Sequence, residues 1–174
     1  MSTIQVLVPS AERHLTSLVQ YLRDLVSQEW SVVLVTTNRP HRTIVERLQE
    51  GGVDPADVFV LDAISCVDGA QPTQRQDHAM FLQSPTMLEM IAMRTEQIVG
   101  RQSGRVHVVV DSLNSLRLYN GVEPVQEFCH YLANRLRARG ASASFVVLDN
   151  EEGRDLEARV ASFTDGRIVL EALA

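Results

Sequence analysis

Six short apolar runs, rich in valine, isoleucine and leucine, recur at residues 4–8, 32–35, 58–61, 106–110, 145–148 and 168–170. Each is continuous rather than alternating, which suits a strand buried on both faces. Helical periodicity fills most of the intervals. Leu15, Leu18, Val19, Leu22, Leu25 and Val26 mark one apolar stripe, and Val125, Phe128, Leu132 and Leu136 mark another. The second helix opens at Glu123-Pro124, with proline in the first turn, and closes at Arg139-Gly140, where glycine fits a left-handed cap. Residues 43–49 form a shorter helix closed by Gly51-Gly52, and residues 87–99 a fourth. Strand alternating with helix predicts an α/β fold: a three-layer α-β-α sandwich around a mostly parallel sheet. The length of 174 residues suits a single domain over 1–174. Residues 62–84 are polar, hold Gly69 and Pro72, and read as one long loop.

Composition excludes several classes of chemistry. All 16 basic residues are arginine, so any mechanism that needs a lysine is ruled out. The net charge of −6 argues against nucleic-acid binding. The nearest basic feature, Arg135, Arg137 and Arg139, reads as the solvated face of a helix near its C-terminus. Cys66 and Cys129 have no zinc-like spacing and read as reduced thiols in or near the core. No segment has the length and apolarity of a membrane span, and no secretory leader is evident, so a cytoplasmic protein is expected.

The first strand, turn and helix have the layout of a phosphate-binding unit, but the turn reads Pro9-Ser10-Ala11-Glu12. A phosphate loop needs glycines for its curl and a lysine for charge. Here the first glycine is Gly51, Pro9 lacks an N–H, and Leu15-Thr16 stands where Lys-Thr would be. Glu12, expected in the first helical turn, would repel an anion, and Ser10 reads as an N-cap. The run at 106–110 leads into Asp111-Ser112, a strand-end carboxylate suited to a magnesium-bound water or a helix cap.

From these residues outward, the chain resembles the RecA/KaiC-like ATPases. "HVVVDSLNSL" resembles their Walker B strand, "SVVLVTTNRP" their second strand, and "RLQEGGVDPADVFVLDA" the next helix and strand. "CHYLANRLRARGASASFVVLDN" and "VASFTDGRIVLE" resemble the later segments. "SPTMLEMI", "DSLNSLRLYN" and "EFCHYLANRLRARG" resemble a set of prokaryotic, mainly archaeal, KaiC-related proteins. The resemblance covers nearly the whole chain in order. It implies a RecA-like P-loop NTPase fold without a P-loop. Two adjacent glutamates follow the second strand in active relatives, whereas Thr37-Asn38-Arg39 stands there in this chain. Neither Asn nor Arg can act as a general base.

The resemblance therefore implies a pseudo-ATPase that works through a protein partner or self-association, as active relatives assemble side by side. The alternative is an ATP-binding protein with little or no hydrolysis. Its vestigial site would comprise Ser10, Arg13, Thr16, Asp111 and Ser112, with Mg-ATP as ligand and Asp111 toward the metal. A small-molecule enzyme using Ser10, His14 and Asp111 is a third reading, although no G-x-S-x-G elbow supports a serine nucleophile. His107 reads as a satisfied core residue, and Glu151-Glu152-Gly153 as an acidic turn. Met87, Met90 and Met93, at helical spacing, suit either core packing or an adaptable partner surface.

Overall fold

A computed structural model describes residues 1–70, 72 and 75–171. In chain order the elements are β1 (Ile4–Pro9), α1 (His14–Ser27), β2 (Ser31–Thr36), α2 (His41–Glu50), β3 (Val58–Asp62), β4 (Arg75–Gln76) and β5 (Ala79–Phe81). Then come α3 (Leu88–Val99), β6 (Val106–Asp111), α4 (Leu113–Asn120), α5 (Val122–Ala138), β7 (Ser142–Val146), α6 (Glu151–Val160) and β8 (Gly166–Leu170). Single 3₁₀ turns lead into β3 and follow α6.

The strands form one sheet in the order β4-β5-β3-β2-β6-β7-β1-β8. Seven strands run parallel, and β4 pairs antiparallel with β5 at the edge. This is the three-layer sandwich that the alternating pattern predicts. From β1 the chain steps toward one edge with α1 and α2 on one face. It steps back from β5 toward the other edge with α3, α4, α5 and α6 on the opposite face. Right-handed crossovers require this change of face when the direction of travel reverses. Leu18, Leu22, Ile44 and Leu48 fill the first face together with Leu7, Leu34 and Val60. Ile91, Phe128, Leu132 and Phe145 fill the second with Val33, Val108 and Val110.

Several expectations need correction. The 62–84 stretch is not all loop: β5 continues the parallel sheet beside β3. Strand β7 begins at Ser142, three residues ahead of the apolar run at 145, because its buried serines find partners inside. Ser144 Oγ bonds His107 Nε2 at 2.7 Å and Tyr21 Oη at 3.0 Å, and Ser142 Oγ accepts the Thr3 N–H at 3.0 Å. Glu151-Glu152-Gly153 is the first turn of α6, capped by Asn150, whose Oδ1 accepts the Gly153 N–H at 2.8 Å. Ser10 does not cap α1; the cap position is Arg13, without a side-chain bond, and Glu12 lies in the turn before the helix.

Arg135 and Arg139 are exposed, as expected of a solvated helix face, but with Arg137 they are also ion-paired. Arg135 and Arg139 both reach Glu96 on α3, at 2.9 and 3.4 Å, and Arg137 reaches Asp165 at 3.1 Å and the Phe163 carbonyl at 2.7 Å. Two carboxylates thus engage the three arginines within the fold. Cys129 is fully buried, and burial pushes its thiol pKa up; Cys66 is half-buried. Gly140 follows α5 with φ at +71°, the left-handed position that glycine takes without strain. Among the described residues, no helix is long and apolar enough to cross a membrane.

Candidate functional site

The carboxyl ends of β1, β2, β3, β6 and β7 converge on one edge of the sheet, the usual ligand crevice of open α/β sheets. In this chain that edge is stitched shut. Asp111 ends β6 and is completely buried. His14, the first residue of α1, reaches over β7 and places Nε2 against Asp111 Oδ1 in a short hydrogen bond. His14 is itself only 4% exposed. The second carboxylate oxygen of Asp111 has no partner among the described residues.

Thr37, just after β2, holds the other side. Its N–H donates to the Asp111 carbonyl at 2.9 Å, and its Oγ1 accepts the Ser112 N–H at 3.2 Å. Ser112, behind the cis Asp111–Ser112 peptide, caps α4 by accepting the Ser115 N–H at 3.3 Å. Asp62 ends β3 and is also fully buried. Its Oδ1 accepts the N–H groups of Ile64 and Ser65, both at 2.8 Å, and its Oδ2 accepts the His41 N–H at 2.7 Å, which caps α2. Beyond β7, Asn114 Oδ1 accepts the Leu148 N–H at 2.9 Å. A Cβ on Gly153 would meet the Leu148 carbonyl oxygen at 1.8 Å, so α6 can approach the β7 end this closely only with glycine.

The five residues expected to form a nucleotide site therefore separate. Ser10 and Arg13 are exposed in the β1–α1 turn. Thr16 is exposed on α1 and lines a cleft of about 450 Å³ between α1 and α2. Asp111 and Ser112 are buried, with their hydrogen bonds directed inward. His14 lines the cleft, and Asp111 sits behind it. The small-molecule constellation is only half assembled: His14 and Asp111 meet, while Ser10 faces solvent. The cleft also holds Arg23, Arg39 and Arg47, against Glu12 and Glu50. Arg47 is engaged with Glu50 at 2.9 Å, and the buried Nε of Arg39 has no partner among the described residues.

Sequence reasoning missed Thr37, Asp62, Asn114 and Asn150. Two of these had legible signals. Asp62 ends an apolar run and can bond the N–H two residues on in an Asx turn, and Asn150 precedes two glutamates, the usual composition of a helix start.

Compared with known proteins, residues 2–170 match a family described as being of unknown function, DUF7504. The chain belongs to this family. No curated protein matches it. Solved structures share the fold, among them these two. One is an uncharacterised protein from Pyrococcus horikoshii in complex with an unknown peptide, at TM-score 0.71 and 12% identity, covering 97% of this chain and 76% of that one. The other is a KaiC-like protein from the same organism, at TM-score 0.66 and 14% identity, covering 96% of this chain and 70% of that one. The DUF7504 chain thus has a RecA/KaiC-like fold, as its motif order led one to expect.

Proposed function

We propose that this DUF7504 chain is a non-catalytic RecA/KaiC-like domain that acts as a scaffold or regulatory subunit through protein–protein contacts. The buried His14–Asp111 pair carries the reading. A strand-end carboxylate that serves a metal-bound water has to face the ligand. Asp111 faces a histidine ring instead, and that ring stands between it and the cleft. Phosphoryl transfer depends almost wholly on positioning and charge neutralisation. The chain has no lysine for that task, and its second strand is followed by Thr37-Asn38-Arg39 rather than by a base. That a protein of the same fold was solved with an unknown peptide supports an interaction role.

The test is thermal unfolding with and without millimolar Mg-ATP or Mg-ADP, alongside a phosphate-release assay. A ligand at about 100 times its Kd stabilises the native state by about 2.7 kcal/mol, which raises Tm by roughly 5–10 °C in a chain of this size. The expected outcome is an unmoved Tm and no released phosphate. A clear rise or turnover overturns the proposal.

The arginine-lined cleft favours a second reading, weak binding of a nucleotide or other anion without hydrolysis. In that case Tm rises with nucleotide even without magnesium. The rise is lost in Arg39→Gln and kept in Asp111→Asn.

A further inference from the structure

Helices α3 and α5 run side by side on the outer face of the sheet, and their charge matching differs between the two ends. Near their C-termini the Glu96 carboxylate is met by Arg135 and Arg139. Those two arginines hold its carboxyl below the usual range. Near their N-termini the helices part into a groove of about 860 Å³. Met87, Met90 and Phe128 line it, with Tyr131 on the α5 side. Glu89 and Glu127 flank it, one from each helix, and both are exposed. Among the described residues neither is in an ion pair. Glu89 also suits the positive end of α3, being in its first turn, whereas Glu127 lies beyond the first turn of α5 and has no such role.

Phe128 is a core residue, but the other lining residues named are only half-buried or exposed. The inner face of α3 is Ile91, Thr95 and Ile98, all buried, while Met87 and Met90 are only half-buried. Tyr131 is 53% exposed. Methionine and tyrosine supply adaptable apolar area, the kind enriched at partner surfaces. A trough between two helices is the geometry in which a third amphipathic helix lays its apolar stripe.

We infer that the α3–α5 groove docks an amphipathic helical segment of a partner protein. Its apolar anchors, spaced i, i+3 or i+4, and i+7, enter between Met90, Phe128 and Tyr131. Its flanking arginines or lysines meet Glu89 and Glu127. The two unmatched carboxylates select a basic partner, as Glu96 selects arginines two turns further along. The inference rests on the interaction reading above and specifies its partner.

The test pans the full chain against a displayed library of random 14-residue helical peptides. Selected peptides are then synthesised and their affinities measured by fluorescence anisotropy. The expected winners carry apolar residues at the stated spacing with Lys or Arg beside them, and bind in the micromolar range. Tyr131→Ala weakens them about tenfold or more, and so does the double reversal Glu89→Arg/Glu127→Arg. Affinity also falls as salt rises. The three positions are exposed, so unchanged melting separates a lost contact from a lost fold. The inference is overturned if no peptide is selected, if winners show no basic bias, or if they bind both variants like the parent. It is also overturned if sedimentation shows a dimer that Tyr131→Ala dissociates, since a second copy then covers the groove. Nucleotide binding or turnover would sink the pseudo-ATPase reading and leave the peptide result standing. Failure in the panning leaves the nucleotide result untouched.

Discussion

Replacing His14 with alanine is the most direct probe of the sealed strand edge. The substitution removes the one observed partner of a fully buried carboxylate and leaves a void the size of an imidazole. A buried acceptor left without its donor costs about 1–3 kcal/mol, and more when it is charged. A loss of about 3 kcal/mol is therefore expected, or roughly 6–12 °C in Tm. A domain with a typical stability of about 5–15 kcal/mol survives that loss, so the variant can be measured. The assay is urea unfolding of the parent, His14→Ala, Asp111→Ala and the double variant. If the two side chains satisfy each other, the second substitution costs little once the first is made, and the coupling is about 1.5 kcal/mol or more. Additive effects, or a His14→Ala loss below about 1 kcal/mol, would refute the idea that the histidine plugs the site.

Three further outcomes follow from named contacts. Gly153→Ala gains up to about 1 kcal/mol of helix propensity but drives a Cβ into the Leu148 carbonyl, at the upper end of the usual overpacking cost of about 1–3 kcal/mol; a net loss of about 2 kcal/mol is expected in urea. Burial pushes the His107 pKa from 6.5 down to about 4, so between those values the unfolded chain holds more protons than the native one. The stability at stake is present above about pH 6.5 and is lost as the pH falls toward 4, up to about 3 kcal/mol, and His107→Asn should flatten that part of the pH profile. Glu96→Ala unlinks α3 from Arg135 and Arg139; a loss of about 1 kcal/mol that shrinks in high salt is expected, and a loss independent of salt would mean that packing dominates there.

The apolar runs made most of the sheet legible, because a strand buried on both faces has little choice but to be continuously apolar. What escaped notice were element ends with a polar signal and an element too short to show any pattern. β7 starts on serines, and its burial becomes intelligible only with His107 and Tyr21 in place across the fold. α6 starts on Asn150 and two glutamates, a helix start that reads locally as a turn. β5 is three residues long and owes its state to its neighbour β3 rather than to its own composition. For the site, Asp111 was legible as a strand-end carboxylate and His14 as a nearby residue. Their contact spans 97 residues of chain, and no local pattern encodes it. Separations of 39 and 43 residues likewise hide the pairs that Arg135 and Arg139 make with Glu96.

The position of β1 sets an order of events during synthesis. It precedes the other described strands in the chain, yet its neighbours in the sheet are β7 and β8, and Ile4 pairs with Ala143 across 139 residues of chain. At about 5–20 residues per second, a ribosome takes on the order of 10–30 s to cover that span. Meanwhile β2, β3 and β6 emerge and can pair among themselves. The nascent chain therefore trails a sticky ribbon of Ile4, Val6, Leu7 and Val8, held open for partners that arrive late. Among the described strands, the first in the chain is thus one of the last to be housed.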